Sequence, residues 1–146
     1  MNDIDTLHHD VGEILMYCQC IEHDIKCIYA FMADGGFERN MIKMDEERWT
    51  LGQTLHELKQ YDQSWDHPFF SEEDYATLEE ITRKRNYYAH TVYLRFSYLS
   101  EEADFERIFA KVCLEAKQDD DLLSSLYERV EDARRLYLKD VPEARY

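Results

Sequence analysis

The chain has 146 residues, enough for one domain with a buried core, and its 45% hydrophobic and 34% charged residues indicate a folded globular protein rather than a disordered one. Its 17 Lys and Arg face 32 Asp and Glu, and a net charge of −15 argues against a general nucleic-acid coating protein. No run approaches the ~20 apolar residues of a membrane span, and the N-terminus lacks the basic-then-apolar pattern of a signal peptide. We therefore expect a cytoplasmic protein that does not associate with a membrane.

The first half of the chain predicts two helices. Apolar residues recur at spacings of three and four, which predicts a helix over residues 6–33 that ends at the Asp-Gly-Gly run of residues 34–36. Residues 37–49 are polar without a sustained period and are interpreted as a loop. A second helix begins at Thr50, a residue type favoured at the N-cap, and it is followed by a connection at residues 65–68.

The second half predicts three more helices. A serine followed by three acids is typical of an N-cap and first turn, so a third helix is expected over residues 71–99. A serine-capped fourth helix is expected over residues 100–116, and three consecutive aspartates at 119–121 are interpreted as the opening of a fifth. Since no strand-like alternation of useful length occurs, the sequence predicts an all-α domain over residues 1–146, an antiparallel up-and-down bundle of four to five helices. The fifth helix carries an apolar stripe of Leu123, Leu126, Val130, Ala133 and Tyr137.

The four cysteines do not predict a metal centre. Cys18, Cys20 and Cys27 follow the spacing C-x-C-x6-C, with Cys113 far away, and this matches no common zinc pattern even with His23 nearby. Cys18 lies on an apolar helical stripe and is expected to be buried as a small hydrophobe. Cys20 and Cys27 share a different face and are expected to be exposed. We expect no metal and no cofactor.

Residues 81–99 form a cationic segment in an otherwise anionic chain. The segment contains no Asp or Glu, while the rest of the chain carries 13 Lys and Arg against 32 acids. A local basic, tyrosine-rich segment is where a phosphate-bearing ligand is expected to bind. Its basic residues are Arg83, Lys84, Arg85 and Arg95. Within it, the run Arg85-Asn86-Tyr87-Tyr88-Ala89-His90, here called the motif, combines a fixed positive charge with a proton carrier.

A helical wheel places Arg85 among apolar residues. With Leu78 taken as 0° on a straight helix, Arg85 lies at an angle of about 340° around the helix axis, inside the arc that is expected to face the core. A guanidinium on an apolar face costs several kcal/mol unless it is paired or opens into a cleft. The arc contains Leu78, Ile81, Tyr88, Ala89, Val92 and Phe96.

Two interpretations of Arg85 stay open. Glu22 falls on the apolar stripe of the first helix, so an Arg85–Glu22 ion pair would satisfy both groups. Alternatively, each side chain extends to an edge of the bundle. His90 lies on a flank with Asn86 and Tyr93, about 140° from Arg85, so one chain does not direct both groups at one atom. A second copy related by a two-fold axis could complete a site, although a lone histidine is often a surface residue without a special role.

The motif resembles the R-x4–6-H signature of the HEPN superfamily, in which a polar residue often follows the arginine. Two further features extend the resemblance: the all-helical domain of this size, and the position of the motif late in the third helix. Residues 50–55 (TLGQTL) also look like the TLG-x-L element at the start of the second helix in some HEPN-like proteins. The resemblance covers the bundle from residue 6 to about residue 137.

The resemblance implies a metal-independent endoribonuclease, often a toxin or antiviral effector, that acts as a homodimer on RNA. By that resemblance Arg85 and His90 are the catalytic pair and Asn86 an orienting group. Imidazole can take the proton of an RNA 2′-OH, and a guanidinium can stabilise the charge that develops on the phosphate. Attack by the 2′-OH restricts the activity to RNA and leaves a 2′,3′-cyclic phosphate. Candidates for contact with RNA are Arg83, Lys84, Tyr87 and Tyr93.

One branch of the superfamily pairs the toxin with a nucleotidyltransferase antitoxin and has the motif R-x4-H-x-Y, whose tyrosine can be modified. In this chain Val92 stands at the tyrosine position and the tyrosine comes one residue later, at Tyr93. Regulation by tyrosine modification is therefore not expected, although an antitoxin of this or another kind is a possible partner. The alternative functions are a catalytically inactive HEPN-like bundle that binds a partner protein or nucleotide, and a purely structural helical bundle.

Overall fold

The computed structural model describes residues 3–138, with side chains through residue 136, and all regular structure in this range is helical. This confirms the all-α fold class. The described residues form five helical segments when the three short helices between residues 72 and 97 are counted as one interrupted helix, and four to five helices were expected. No helix of this range has an apolar stretch long enough to cross a bilayer. The helices are α1 (Ile4–Met32), α2 (Phe37–Glu46), α3 (Leu51–Gln63), α4 (Glu72–Glu79), α5 (Ile81–His90), α6 (Leu94–Ser97) and α7 (Glu102–Leu138).

The chain divides into two compact units, each built from two separate stretches of sequence. Within the described range, the first unit comprises residues 3–19 and 81–125, and the second comprises residues 20–80 and 126–138. Two of the three boundaries fall inside α1 and α7, so each of these helices contributes a part of its length to each unit, and the third falls between α4 and α5. The motif lies wholly in the first unit.

Helix α1 confirms the first predicted helix, and its C-terminal end is closed by a side chain of α2. The Asn40 amide is 6% exposed and donates to the carbonyl oxygens of Ala30 at 3.0 Å and Ala33 at 3.1 Å. Ala30 lies in the last turn of α1 and Ala33 directly follows the helix, and carbonyls at this end have no partner within the helix. Gly35 and Gly36 follow with φ of 111° and 94°, a backbone conformation that favours glycine and allows the abrupt turn into α2.

The prediction of a loop over residues 37–49 is wrong, because this segment contains α2. Only Asn40 and Met44 of α2 are buried, so the apolar period that predicts a helix is almost absent. The helix ends in a Schellman motif: the Trp49 N–H donates to Met44 O at 2.9 Å and the Arg48 N–H donates to Asp45 O at 3.1 Å. Arg48 occupies the left-handed position of this motif with φ of 53°, where glycine is usual.

The predicted N-cap at Thr50 is confirmed, and a buried aspartate fixes the connection that follows α3. Thr50 and Gln53 form a reciprocal capping box at the start of α3. Asp62, 2% exposed, accepts hydrogen bonds from the Phe69 N–H at 2.8 Å, the Phe70 N–H at 3.2 Å and the Tyr75 hydroxyl at 2.6 Å. One carboxylate therefore supplies the acceptors that two loop amides and a buried phenol require.

The prediction of one helix over residues 71–99 is wrong, because this stretch is divided into α4, α5 and α6. The N-cap is correct, since Ser71 caps α4. Helix α5 ends where the N–H groups of Thr91 and Val92 both donate to Tyr87 O, at 2.9 and 3.0 Å. Angles taken from a straight helix fail across these breaks, which explains why Ala89 is exposed. The other apolar members of the expected arc are buried: Leu78, Ile81, Tyr88, Val92 and Phe96.

The expected break between the fourth and fifth helices is also wrong, since α7 runs continuously through residues 119–121. Aspartate disfavours the interior of a helix, but here tertiary contacts outweigh that preference. Asp119 accepts hydrogen bonds from Lys84 and Tyr88. Burial, followed by a hydrogen bond to Glu13, raises the pKa of Asp120 to about 6. Of the predicted stripe, Leu123, Leu126, Val130 and Ala133 are buried, and the side chain of Tyr137 lies outside the described residues.

Candidate functional site

Helix α5 carries the whole motif without interruption and is anchored by two buried residues. Ile81 and Tyr88 are 0% and 2% exposed. Arg85 is half-buried, whereas Asn86 and His90 are exposed. The imidazole of His90 lies in the last turn of α5 and makes no side-chain hydrogen bond with any other residue from 3 to 136. It is therefore accessible to a substrate.

The helical geometry keeps Arg85 and His90 apart. Five residues on a continuous helix separate the two side chains by about 140° and about 7.5 Å along the axis. Arg85 alone could shorten this separation, because its side chain is long and flexible. Glu22, the expected partner of Arg85, is half-buried and belongs to the second unit, so the Arg85–Glu22 pair stays a prediction.

The first of two carboxylates on α7 neutralises Lys84. The Lys84 ammonium lies 2.7 Å from Asp119 Oδ1, and the side chains are 20% and 21% exposed. The other oxygen of Asp119 accepts a short hydrogen bond from the Tyr88 hydroxyl. Burial and this bond to a carboxylate raise the pKa of Tyr88 well above its usual range. Tyr88 thus has a packing role, and a phosphate would have to compete with Asp119 for Lys84.

The second carboxylate, Glu115, makes an equivalent cluster one turn earlier on α7. Glu115 Oε2 accepts from Arg95 Nη1 at 2.6 Å and from the Tyr87 hydroxyl at 3.0 Å, and Arg95 also donates to that hydroxyl at 2.5 Å. Burial is the largest influence on the phenol of Tyr87 and raises its pKa. Lys84 and Arg95 of the cationic segment are therefore both neutralised by carboxylates of α7 within the first unit.

No local pattern in the sequence points to Glu115 and Asp119 as partners of the motif helix. Glu115 and Asp119 are four residues apart, so they share a face of any helix that contains both. That spacing was obscured because the predicted helix ended before Asp119. Even with the correct helix, nothing in the local sequence says which element this face would contact.

A second histidine, also missed, contacts the turn after α5. His8 Nδ1 lies 2.8 Å from the Tyr93 hydroxyl, and the two rings are 5.3 Å apart between centroids. Tyr93 is half-buried, and burial raises the pKa of its hydroxyl. The 85 residues that separate His8 from Tyr93 hide this contact from any local pattern. The ring of Tyr93 can still contact a ligand through its edge, but its hydroxyl already has His8 as a partner.

The cysteines lie elsewhere and do not form a metal centre. No group of three or more His, Cys, Asp or Glu side chains within the described range is arranged to hold a metal ion. Cys18 is buried, as expected, and Cys20 is partly exposed. The expected exposure of Cys27 is wrong, since it is 4% exposed and its Sγ lies 3.5 Å from His23 Nε2. Most faces of the second half of α1 are buried, and Cys27 lies on one of them.

The comparisons with known proteins add no relative. No family model, no curated protein and no solved structure matches this chain. The resemblance to the HEPN superfamily therefore depends on the motif on α5 and on residues 50–55, which include the N-cap and first turns of α3.

Proposed function

We propose that this chain is a metal-independent endoribonuclease of the HEPN type, built on an antiparallel helical bundle, that acts as a toxin or antiviral-defence effector. Arg85 and His90 are the catalytic pair, and Asn86 is the orienting group. The observation that carries the proposal is the placement of the motif on one continuous helix, with His90 exposed and without a side-chain partner in the described range. A proton carrier at a helix end is positioned to reach a substrate rather than to stabilise the core.

The proposed reaction needs no cofactor. His90 accepts the proton of the RNA 2′-OH, the 2′ oxygen attacks the adjacent phosphorus, and the bond to the 5′ oxygen breaks. Arg85 stabilises the additional negative charge on the phosphoryl oxygens. The leaving 5′ oxygen takes a proton from water, and His90 then returns its proton to the solvent, so the products are a 2′,3′-cyclic phosphate and a 5′-hydroxyl. Asn86 and Arg83 are exposed and can be reached by RNA, whereas Lys84 is half-buried and pairs with Asp119.

A homodimer fits the separation between the two catalytic side chains. Because Arg85 and His90 of one helix point about 140° apart, the guanidinium of one protomer and the imidazole of the other are the natural pair across a two-fold axis. In such a dimer each catalytic site is composite: Arg85 comes from one chain and His90 from the other.

The decisive experiment is incubation of purified protein with RNA in EDTA, followed by end-group analysis of the products. We expect cleavage with 2′,3′-cyclic phosphate ends, no cleavage of 2′-O-methylated RNA, and a loss of about 10²–10⁴-fold for His90→Ala. Arg85→Ala should be similarly impaired and Arg85→Lys less so. His67→Ala and Arg107→Ala are matched controls, since both residues are exposed and lie outside the motif. Cleavage that survives in both His90→Ala and Arg85→Ala would refute the proposal.

Mixing the two inactive variants tests the dimer. If the sites are composite, an Arg85→Ala/His90→Ala heterodimer contains one intact site out of two. Random exchange makes half of the dimers heterodimers, so about one quarter of the wild-type activity should return. No recovery after demonstrated subunit exchange would place both catalytic residues in one chain.

A second candidate function is a catalytically inactive HEPN-like bundle that binds a partner protein or nucleotide. The ion pairs that neutralise Lys84 and Arg95 favour it, because they reduce the positive charge that RNA would contact. In that case wild-type protein cuts no RNA in any condition, while substitutions of Arg85 change partner binding. A nucleotidyltransferase or another antitoxin is the kind of partner to test first.

A further inference from the structure

An apolar patch lies exposed around α6 in the first unit. It consists of Leu94, Tyr98, Leu99 and Phe105, which are 59%, 85%, 38% and 37% exposed. Leu94 and Tyr98 are four residues apart along α6 and its C-cap, so they lie on the same side. Phe105 lies next to α6, because its ring centroid is 5.7 Å from that of Phe96, the buried residue midway between Leu94 and Tyr98.

One member of the patch, Phe105, is held by packing. Phe96 is 4% exposed and contacts Phe109 at 5.1 Å, and Phe105 stacks on Phe109 at 5.6 Å with an interplanar angle of 16°. The three rings therefore pack against one another beside α6. An apolar side chain that is already held by packing loses little conformational entropy when a partner covers it, which is typical of binding surfaces.

An acidic rim borders the patch where α7 begins. Glu101, Glu102 and Glu106 are exposed and make no side-chain hydrogen bond or ion pair with other residues of the described range. The nearest cation along the chain, Arg107, already contacts Asp104 at 3.6 Å. The patch therefore combines exposed apolar surface with uncompensated negative charge.

We propose that this patch binds a basic amphipathic helix of a partner protein. Its apolar face would cover Leu94, Tyr98, Leu99 and Phe105, and its Lys or Arg residues would lie against the acidic rim. This inference does not depend on the proposed function, since none of these residues belongs to the motif.

Charge favours such a helix over a second copy of this chain. With each side chain taken as about 200 Å², the exposed fractions leave on the order of 400 Å² of patch, within the range in which apolar patches are often functional. Two copies would bring two acidic rims together, and like charges at an interface are unfavourable. A basic helix would instead place opposite charges against the rim.

Synthetic peptides test the chemistry of the occupant. The probe is a fluorescein-labelled 18-residue amphipathic peptide of Leu and Lys, titrated with wild-type protein and followed by fluorescence anisotropy. A Leu/Glu peptide of the same pattern and a Ser/Lys peptide without an apolar face are the matched probes. We expect binding of the Leu/Lys peptide that weakens at higher ionic strength, at least tenfold weaker binding of the Ser/Lys peptide, and none of the Leu/Glu peptide. Equal binding of all three would overturn the proposal.

Paired variants localise the binding. Leu94→Gln with Tyr98→Ser should weaken binding of the Leu/Lys peptide at least tenfold, and Glu101→Gln with Glu106→Gln should reduce its salt dependence. The control is Leu114→Gln with Leu122→Gln, which removes two leucines of α7 that are 58% and 44% exposed in the same unit, and it should change the affinity less than twofold. Circular dichroism confirms that each variant is folded. An equal loss of peptide affinity in the patch and control variants would refute the location of the site. If the mass in solution of the Leu94→Gln/Tyr98→Ser protein is half that of the wild type, a second copy of the chain covers the patch, and the proposed occupant is wrong.

Discussion

The buried carboxylate of Asp62 accepts three hydrogen bonds in the second unit, and its removal gives a quantitative test. Asp62→Ala deletes the acceptor of the Phe69 and Phe70 N–H groups and of the Tyr75 hydroxyl. A hydrogen bond to a charged group contributes about 1.5–3 kcal/mol, and part of the loss is regained because the buried charge also disappears and the loop amides can reach water. We expect the free energy of unfolding to fall by about 3–5 kcal/mol, a large share of the roughly 5–15 kcal/mol of a typical domain.

Urea denaturation followed by circular dichroism measures this loss, and a double-mutant cycle assigns it. Tyr75→Phe removes one donor and should cost about 1–2 kcal/mol in the wild type but close to nothing when Asp62 is already alanine. Asp66→Ala, an exposed acid in the same connection, is the matched control and should stay within about 0.5 kcal/mol. A cost below about 1 kcal/mol for Asp62→Ala, or strict additivity with Tyr75→Phe, would show that the carboxylate does not organise this connection.

Three further predictions concern the backbone and pH. Arg48→Gly should raise the free energy of unfolding by about 0.5–1 kcal/mol, because it relieves the left-handed backbone, and Arg48→Ala should not; both are measured by urea denaturation. Asn40→Ala should lower that free energy by about 1–3 kcal/mol and speed amide exchange at the C-terminal end of α1, because two carbonyls lose their donor; unchanged exchange would contradict this. Burial, a hydrogen bond with Glu131 and the charge of Glu131 raise the pKa of Asp24 to about 8. Because the pKa of Asp24 is higher in the folded than in the unfolded protein, its contribution to stability is present below about pH 4 and is lost as the pH rises to about 8. Asp24→Asn does not lose this contribution, so it should gain stability relative to wild type between pH 5 and 8. Parallel profiles of stability against pH for the two proteins would contradict the assignment.

The sequence predicted those elements whose cause is local. The three-and-four spacing of α1, the capping box at Thr50 and the N-cap at Ser71 act within a few residues and are confirmed. The predictions from sequence failed where contacts between residues far apart along the chain determine the structure. Helix α2 has few buried residues and depends on Asn40, which reaches back to α1. Helix α7 passes through three aspartates because Asp119 is occupied by groups of α5.

The candidate site shows the same division. The motif could be recognised from residue type and spacing, and the exposure of His90 agrees with the flank on which the wheel placed it. The partners of Lys84, Tyr87 and Arg95 could not be predicted, because Glu115 and Asp119 lie 20–35 residues away along the chain. Local sequence indicates which groups carry charge, and only the tertiary fold determines which of those charges are neutralised.

The interleaving of the two units along the chain has a consequence for biosynthesis. Residues 3–19 belong with residues 81–125 and are therefore synthesised well before them, and residues 20–80 are completed by the segment that begins at residue 126. A nascent chain therefore holds the apolar face of the first half of α1 without its packing partners until residues 81–125 have been made, a state in which exposed hydrophobic surface promotes aggregation. A ribosome-bound chaperone would have its longest opportunity at this half of α1, before α7 is synthesised.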